Sequence, residues 1–203
     1  IPALSLEPLG SEGIYVLEMS SYQLELTPSA RFEVAILLNI SQDHLDRHGG
    51  MNGYVSAKRR IFAQQEVGDV AIVGVDDQEA LSLLLCLSAE RSSGIVPIST
   101  EREVRGGVYS KGSMLIDASG AVPREVRSLA DIEALPGSHN AQNAAAAYAA
   151  VRAVGVTAEI AAAALETYPG LPHRQQLAAI IDGVRYINDS KATNPEAAAK
   201  ALS

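Results

Sequence analysis

Continuous apolar runs alternate with amphipathic stretches through the first half of the chain. Apolar side chains dominate residues 14–17, 34–40 and 70–75, and polar side chains follow each run. Such runs are typical of strands that are covered on both faces of a parallel sheet. Residues 51–65 and 76–89 have the periodicity of helices. The alternation of strands and helices therefore predicts a layered α/β fold with a mostly parallel sheet.

The pattern changes in the second half of the chain. Residues 95–126 form short alternating segments broken by glycines, which predicts hairpins or small strands at a sheet edge. Residues 138–165 are rich in alanine, and Thr157 is placed to cap a second helix there. This segment predicts a helix pair.

A tight turn marks the last part of the chain. Residues 177–181 and 184–188 are apolar segments on either side of an Asp-Gly pair, which is a strong hairpin signal. We predict a two-stranded hairpin, followed by a helix from about Asn194. The composition at this point is typical of the start of a new domain.

Composition and charge narrow the classes of function. The chain has 203 residues, is 47% hydrophobic and carries a net charge of -8, which argues against binding to nucleic-acid phosphates. No apolar run approaches the roughly 20 residues that cross a bilayer, so we expect no membrane partner. Cys86 is the single cysteine and lies in an apolar run, which predicts a buried thiol in a reducing cytoplasm.

Ionisable side chains follow two of the predicted strands. Glu18 comes directly after the first apolar run, and His44 comes shortly after the second. Ligands of open α/β sheets bind beyond the carboxyl ends of strands, so this carboxylate and this imidazole could share Mg²⁺ or Mn²⁺. Alternatively, Glu18 caps a helix that begins at Ser20-Ser21, and His44 and Asp43 cap the loop.

Two further ionisable residues lie just downstream. Lys58 precedes Ile61 and Phe62 by three and four positions, which places it near the apolar stripe of a helix. A lysine at the border of an enclosed site becomes chemically modifiable, whereas the alternative is a surface lysine that covers apolar area with its stem. His48 stands beside a glycine pair, and we expect a solvated turn residue.

A series of motifs in chain order carries a family resemblance. These are LEMSSYQLE, ILLNISQDHLDRH, YVSAKRRIF, GSHNAQNAAAA, GLPHR and NDSKATNP. The series resembles the Mur ligases through essentially the whole chain, and NDSKATNP resembles the branch that adds D-glutamate. The resemblance implies a P-loop NTPase-like central ATP-binding domain at residues 1–172. It also implies the start of a Rossmann-like C-terminal domain, which binds the amino acid, at residues 173–203.

The activity implied by the resemblance is ATP-dependent amide-bond formation in peptidoglycan synthesis, which serves cell shape and cell division. ATP phosphorylates the carboxylate of UDP-N-acetylmuramoyl-L-alanine, and the amino group of D-glutamate then attacks the acyl phosphate. The expected cofactors are ATP and Mg²⁺, with Mn²⁺ as an alternative to Mg²⁺. The expected protein is a cytoplasmic monomer without nucleic-acid partners.

The resemblance also implies roles for the first group of residues. Glu18 and His44 would ligate the metal. Lys58 would be carbamylated, so that its new carboxylate helps to hold the cation and takes part in catalysis. Ser20 and Gln23 would contact the UDP-linked substrate.

A second group lies around the alanine-rich helix and the segment that follows it. Asn140 and Asn143 are three positions apart, so both amides can face one ligand, and the resemblance implies that they hold the adenine of ATP. Their alternative role is helix capping. Arg174 would reach the nucleotide and the transferred phosphate in catalysis, and His173 would position the hinge or the substrate.

The last motif completes the implied site. Asp189 would contact the ribose of the nucleotide, and Lys191 would act in catalysis. Ser190, Lys191 and Thr193 would line the side of D-glutamate and the phosphate. A helix N-terminus capped by Thr193 or Asn194 is the alternative interpretation, and the two are compatible.

One part of the family pattern is missing. The glycine-rich phosphate-binding loop, which ends in Gly-Lys-Thr or Gly-Lys-Ser, does not occur in this sequence. The chain also opens on Ile-Pro. We therefore expect a segment of a longer ligase that does not catalyse ligation alone. Alternatives are another Mur ligase, a folylpolyglutamate synthase-like ligase, a metal-dependent phosphatase and a nucleotide-binding module without catalysis.

Overall fold

The chain divides into two compact units. A computed structural model describes residues 5–42, 45–90, 94–193 and 198–199. The first unit comprises Ile1–Arg31 with Gln42–Gln64, and the second comprises Phe32–Ser41 with Gln65–Ser203. Among the described residues, the first unit is helical and the second contains both sheets.

The first unit is built from short helices. They are α1 (Ser21–Leu26), α2 (Leu45–His48) and α3 (Met51–Arg59), and a 3₁₀ turn (Arg60–Phe62) continues α3. The predicted helix at residues 51–65 is therefore confirmed in its first twelve positions, as α3 and this turn. The apolar side chains buried in this unit come from α1, α3 and the turn, and they are Leu24, Tyr54, Ala57 and Phe62.

The prediction of a strand at residues 14–17 is wrong. These residues have no regular secondary structure, and Val16 is 94% exposed. A strand needs a neighbouring strand to satisfy its backbone N–H and C=O groups. The described residues of this unit contain no strand, so the apolar run has nothing to pair with inside its own unit.

The second unit is organised around a six-stranded sheet. Its strands follow one another in sheet order, and they are β1 (Val34–Leu37), β2 (Val70–Gly74), β3 (Ile95–Ser99), β4 (Val108–Lys111), β5 (Met114–Asp117) and β6 (Arg124–Ser128). The pairs from β1 to β4 are parallel, and the pairs from β4 to β6 are antiparallel. The predicted parallel sheet with a small antiparallel portion at its edge is therefore confirmed.

Three helices accompany this sheet. They are α4 (Gln78–Glu90), α5 (Gly137–Ala153) and α6 (Ala158–Glu166). Both α4 and α5 contact β2 and β3, and Ala71, Ile72 and Val73 of β2 are fully buried. Because successive strand residues face opposite sides, this burial means that both faces of β2 are covered. None of the described helices is long and apolar enough to cross a membrane.

The alanine-rich segment packs closely because its side chains are small. Ala145, Tyr148 and Ala149 of α5 join Ile72 and Ile98 of the sheet in the main core cluster. The predicted break between α5 and α6 is confirmed. Thr157 caps α6, since its Oγ1 accepts a hydrogen bond of 3.3 Å from the backbone N of Ile160.

The prediction of a buried thiol at Cys86 is wrong. Helix α4 buries Ala80, Leu83 and Leu87, which lie on one helical stripe, whereas Cys86 is exposed. The residues around Cys86 are apolar on all sides of the helix, so the apolar run alone did not show which face is covered.

The predicted hairpin forms a separate two-stranded sheet of β7 (Gln176–Ile181) and β8 (Val184–Asn188). Asp182 and Gly183 connect the strands with φ values of 51° and 80°. Both values are positive, as a tight hairpin turn requires, and Gly183 adopts such a conformation without steric cost. The predicted domain boundary after residue 172 stays a prediction. The predicted start of the next helix at Asn194 lies outside the described residues.

Candidate functional site

Two of the predicted metal ligands, Glu18 and Lys58, lie in the first unit. Glu18 is exposed on irregular backbone, and His44 lies outside the described residues. Lys58 lies in the last turn of α3, half-buried, with its Nζ 5.0 Å from the centre of the Tyr54 ring. Within the described ranges, no three His, Cys, Asp or Glu side chains form a group that could hold a metal ion. The metal site thus stays a prediction.

The predicted substrate contacts Ser20 and Gln23 are paired with each other at the start of α1. Ser20 Oγ accepts a hydrogen bond of 3.3 Å from the backbone N of Gln23, and Gln23 Oε1 accepts one of 2.8 Å from the backbone N of Ser20. This reciprocal pair is a capping box, which satisfies two backbone donors of the helix end. The alternative interpretation was right about the helix, but the cap is Ser20 and not Glu18.

The predicted adenine contacts Asn140 and Asn143 lie in the first turns of α5, which begins at Gly137. Asn143 Nδ2 donates a long hydrogen bond of 3.4 Å to Asn140 Oδ1, and Asn140 Nδ2 donates one of 2.8 Å to the backbone O of Pro136. Both side chains are therefore on one face of the helix, as their spacing predicts. Neither residue is the cap, because Pro136 occupies that position.

Two loops that carry predicted catalytic residues meet at the end of the hairpin. The backbone N of Lys191 donates a hydrogen bond of 3.0 Å to the backbone O of His173. The backbone N of Gln175 donates one of 3.0 Å to Asp189 Oδ1. The loop that contains Arg174 is thus held beside the loop of the NDSKATNP motif. Residues from two separate sequence motifs therefore lie together.

The remaining residues of the last motif have different surroundings. Ser190 donates to Asn188 Oδ1 from its backbone N at 3.2 Å and from its Oγ at 3.0 Å. Thr193 is exposed and has no regular secondary structure. Its role as a helix cap stays a prediction, because residues 194–197 lie outside the described ranges.

A cavity of about 1210 Å³ lies next to these loops. It is lined by the first residues of α5, by the segment between α6 and β7, which includes Arg174, and by Arg185 of β8. A ligand site in a protein is typically about 300–1,000 Å³, so the cavity has ample room for a nucleotide. The lining carries two cationic side chains, Arg174 and Arg185, and three carboxylates, Asp131, Glu133 and Glu166, and Arg185 is paired with Glu133 at 3.7 Å.

The sequence comparisons identify the family. A family model described as the Mur ligase middle domain matches residues 3–151. The chain belongs to the Mur ligase family. Its resemblance to that family, inferred from the motifs, is therefore confirmed.

Two curated relatives of this Mur ligase chain are named UDP-N-acetylmuramoylalanine–D-glutamate ligase. The protein from Rhodospirillum rubrum is 55% identical over 201 residues, which cover 99% of this chain and 42% of the relative. The protein from Phenylobacterium zucineum is 48% identical over 200 residues, which cover 98% of this chain and 43% of the relative. The chain thus spans less than half the length of these relatives.

A solved structure supports the same family. The UDP-N-acetylmuramoylalanyl-D-glutamyl-2,6-diaminopimelate–D-alanyl-D-alanyl ligase from Acinetobacter baumannii matches with a TM-score of 0.60 and 26% identity. The match covers 90% of this Mur ligase chain and 39% of that chain. The two proteins therefore share the fold across most of this sequence.

His48 of the Mur ligase chain was predicted to be solvated, and this prediction is wrong. Its side chain is fully buried, with Nδ1 3.2 Å from Glu25 Oε1 and Nε2 3.0 Å from Ser21 Oγ. Its ring lies 5.5 Å from the ring of Tyr22 and 5.4 Å from that of Tyr54. The hydrogen-bonding partners precede His48 by 23 and 27 positions, so the neighbouring glycines gave no signal of this packing.

Asp76 is a second residue of this Mur ligase chain that the sequence did not indicate. It follows β2, and its carboxylate accepts hydrogen bonds from the Ser99 hydroxyl and from the backbone N of Thr100 at 2.8 Å. Gln142 of α5 approaches the same carboxylate at 3.4 Å. Asp76 therefore ties the carboxyl ends of β2 and β3 to the helix that carries the predicted adenine contacts.

Asp117 and Tyr148 form a buried polar pair in the second unit. Tyr148 donates a hydrogen bond of 2.8 Å to Asp117 Oδ2. Burial alone would raise the pKa of Asp117, but hydrogen bonds from Ser119 and Tyr148 outweigh it, and the pKa lies below its ordinary value. Burial, together with this carboxylate, raises the pKa of Tyr148 to about 12. The pair joins β5 to α5, and its hydrogen-bonding partners among the described residues include none of the predicted site residues.

Proposed function

We propose that this chain is the middle part of an ATP-dependent ligase that adds D-glutamate to UDP-N-acetylmuramoyl-L-alanine in peptidoglycan synthesis. Its curated relatives carry the name of that enzyme. The structural observation that carries the proposal is the meeting of the Arg174 loop with the loop of Asp189 and Lys191, beside a cavity large enough for a nucleotide. Arg174 is the predicted site residue that lines the cavity, and the two hydrogen bonds support a position of Asp189 and Lys191 beside it.

In the proposed reaction, the substrate carboxylate attacks the γ-phosphorus of ATP and ADP leaves. The amino group of D-glutamate then attacks the acyl carbon, and phosphate leaves as the amide forms. Arg174 and Lys191 would stabilise the negative charge on the transferred phosphoryl group, since fixed cations are most effective where charge develops. The forked donors of Arg174 suit a phosphate, and this residue borders the cavity.

The nucleotide would be held by residues of the second unit. Asn140 and Asn143 would contact the adenine, and their contact with each other supports a shared ligand-binding face. Asp189 would contact the ribose. Since Asp189 Oδ1 already accepts from the backbone N of Gln175, its other oxygen is the one that we assign to the ribose hydroxyl. His173, Ser190 and Thr193 would line the D-glutamate side.

The first unit would supply the UDP-linked substrate contacts Ser20 and Gln23 and the metal ligands. Carboxylate oxygens are the ligands that Mg²⁺ prefers, and Glu18 offers one from an exposed position. Carbamylation would convert the Lys58 amine into a carboxylate, the second one of the metal site after Glu18. His44 would be the third ligand. When bound, Mg²⁺ would neutralise phosphate charge. Mn²⁺ would serve as the alternative cation.

The division of the chain belongs to the same proposal. Residues 1–172 would form the central ATP-binding domain, and residues 173–203 would begin the domain that binds D-glutamate. The hairpin at the start of the second segment forms its own sheet, which supports a boundary near this position. The proposed enzyme is a cytoplasmic monomer.

Phosphate release by the full-length protein tests the function. The assay contains ATP, Mg²⁺ and UDP-N-acetylmuramoyl-L-alanine, with D-glutamate, with L-glutamate or without an amino acid. We expect release that depends on D-glutamate. Release without any amino acid would indicate a phosphatase, dependence on another amino acid would indicate another ligase, and no release would indicate a module without catalysis.

A pair of lysine variants makes this test specific. Lys191→Ala removes a cation of the proposed site, and we expect kcat to fall by roughly 10²-fold or more. Lys111→Ala is the matched control, because Lys111 is exposed on β4 and is paired with Glu103 at 2.9 Å. An equal activity of the two variants would exclude Lys191 from the reaction.

A further inference from the structure

We propose that Asn188 is a positioning residue that fixes the loops of Arg174 and Lys191 relative to each other, an inference that rests on the proposed ligase function. Asn188 is the last residue of β8 and is half-buried. It contacts both loops through the two ends of one amide. We call the segments 173–176 and 188–191, together with the bonds between them, the clasp.

The backbone on both sides of Arg174 has an unusual conformation. His173 has a φ of 64° and Gln175 a φ of 45°, and neither residue is glycine. Positive φ values are uncommon in other residues, and they persist only where the surrounding contacts enforce them. Arg174 lies between these two positions, so the direction in which its side chain leaves the loop depends on the contacts that hold them.

Hydrogen bonds from the second loop hold both strained positions. Asn188 Nδ2 lies 3.0 Å from His173 Nδ1, and Asp189 Oδ1 accepts from the backbone N of Gln175 at 3.0 Å. The backbone N of Lys191 donates a further hydrogen bond of 3.0 Å to the backbone O of His173. Adjacent residues of β8 and the loop after it therefore hold the two residues that flank Arg174.

The orientation of the Asn188 amide follows from Ser190. The backbone N of Ser190 can only donate, and it lies 3.2 Å from the atom assigned as Asn188 Oδ1. This end of the amide must be the oxygen, so the NH₂ end faces His173. An NH₂ group only donates, which makes His173 Nδ1 an acceptor and places the ring hydrogen on Nε2. Asn188 thus sets the tautomer of His173 as well as its position.

The clasp would affect the reaction by fixing the distance between the loops of Arg174 and Lys191. Arg174 and Lys191 come from separate segments, yet both are proposed to face one phosphoryl group. Their charges act together only if the loops keep a fixed spacing, and small misplacements of catalytic groups reduce rates strongly. The side chains of His173 and Arg174 are exposed, so the fold offers little packing that could replace the clasp.

The experiment compares variants of the full-length protein in the D-glutamate-dependent assay. For Asn188→Ala we expect kcat to fall by roughly tenfold to a hundredfold, while KM for UDP-N-acetylmuramoyl-L-alanine stays unchanged. Asn188→Asp keeps an acceptor for Ser190, and the His173 ring can donate to it from Nδ1, so its kcat lies between those of Asn188→Ala and the native protein. Val184→Ala, an exposed change on the same strand, is the control and keeps the native kcat.

A second measurement does not depend on activity. Nitrogen NMR of the histidine rings reports the tautomer, and the His173 signals are assigned by their absence from His173→Asn. We expect the hydrogen on Nε2 in the native protein, a shift of it toward Nδ1 in Asn188→Asp and a mixture in Asn188→Ala. Thermal unfolding within about 2 °C of the native midpoint shows that Asn188→Ala is folded.

The outcomes separate the two proposals. A native protein without D-glutamate-dependent release overturns the ligase function and the positioning role with it. An active native protein with an equally active Asn188→Ala variant overturns the positioning role alone. A native His173 ring with its hydrogen on Nδ1 also overturns the inference, whatever the activity. If Asn188→Ala does not fold, Asn188→Asp and the native NMR spectrum decide.

Discussion

His48 shows how one residue organises the first unit. Its ring nitrogens contact Ser21 and Glu25 of α1, and its ring faces Tyr54 of α3, so a residue of α2 links all three helices. Imidazole provides two polar atoms and an apolar ring in one side chain. Among the described residues of this unit only four apolar side chains are buried, so the contacts of His48 add to a small apolar core.

We predict that His48→Ala destabilises the protein by about 2–4 kcal/mol, because it leaves a cavity and removes the partners of Ser21 and Glu25. Arg47→Ala is the matched control. The Arg47 side chain is 58% exposed and contacts Glu25 at 3.5 Å, so its loss costs less than about 1 kcal/mol. Urea unfolding at pH 7 measures both variants. Equal midpoints for the two variants would show that the His48 contacts contribute little.

The pair of Asp117 and Tyr148 predicts a pH dependence of stability. Because the pKa of folded Asp117 lies below its ordinary value of 3.8, the carboxylate stabilises the fold above that pH, and the contribution is lost as the pH falls. Tyr148→Phe removes one donor to the buried carboxylate and should cost about 1–3 kcal/mol at pH 7. The cost should shrink toward pH 3. Unfolding curves at both pH values test this, and an equal cost at each would contradict it.

At high pH, the raised pKa of Tyr148 predicts that the stability of the fold decreases as the pH rises. A pKa raised from 10.0 to about 12 stabilises the fold below pH 10, and this contribution is lost as the pH rises toward 12. Tyr148→Phe has no group to ionise there. The stability difference between the native protein and the variant should therefore decrease between pH 9 and 11, as measured by urea unfolding. A constant difference across this range would assign the effect to packing.

At the scale of elements, helix α6 begins with a cap that the sequence predicted. Thr157 Oγ1 accepts from the backbone N of Ile160, and Glu159 in the first turn has a lowered pKa because its own backbone N–H and the Thr157 hydroxyl bind its carboxylate. Thr157→Ala should cost about 1 kcal/mol, whereas Thr157→Ser should retain the cap. Thermal unfolding distinguishes them, and equal midpoints would mean that the cap is dispensable.

The secondary-structure elements that the sequence predicted are those with a local signal. Strands β1 and β2, helices α4 to α6 and the hairpin have local signals, because periodicity, caps and turn residues lie within each segment. Residues 14–17 carry the same local signal as β1, yet a strand also requires a partner, which local pattern does not supply. His48, Asp76 and the pair of Asp117 with Tyr148 were missed for a related reason, since their contacts join residues far apart in the chain.

The candidate site was predicted in part. The resemblance assigned Arg174 and Lys191 to the side of the phosphate, and these roles stay predictions, while the backbone bond between His173 and Lys191 brings their two loops together. Asn188 is the first residue of the NDSKATNP motif, but no role was assigned to it, because an asparagine at the end of a strand has no special spacing. The roles of Glu18, His44 and Lys58 as ligands of a cation stay predictions.

At the scale of the whole molecule, the lack of a phosphate-binding loop in these 203 residues predicts that the chain alone has no ligase activity. Residues 1–203 contain no Gly-Lys-Thr or Gly-Lys-Ser loop, whereas the proposed reaction needs such a loop to hold the phosphates of ATP. The chain also spans only 42% of its relative from Rhodospirillum rubrum. We therefore expect no D-glutamate-dependent phosphate release from the 203-residue chain under conditions in which the full-length protein is active.

The comparison requires that the short chain is folded, which circular dichroism and cooperative thermal unfolding establish. The full-length protein should show turnover under the same conditions, and Lys191→Ala in that protein should reduce it. Loss of activity in the short chain would then be due to the parts of the full-length protein that it lacks and not to misfolding. Turnover by the folded short chain would mean that Arg174, Lys191 and the cavity beside them hold the phosphates without the loop.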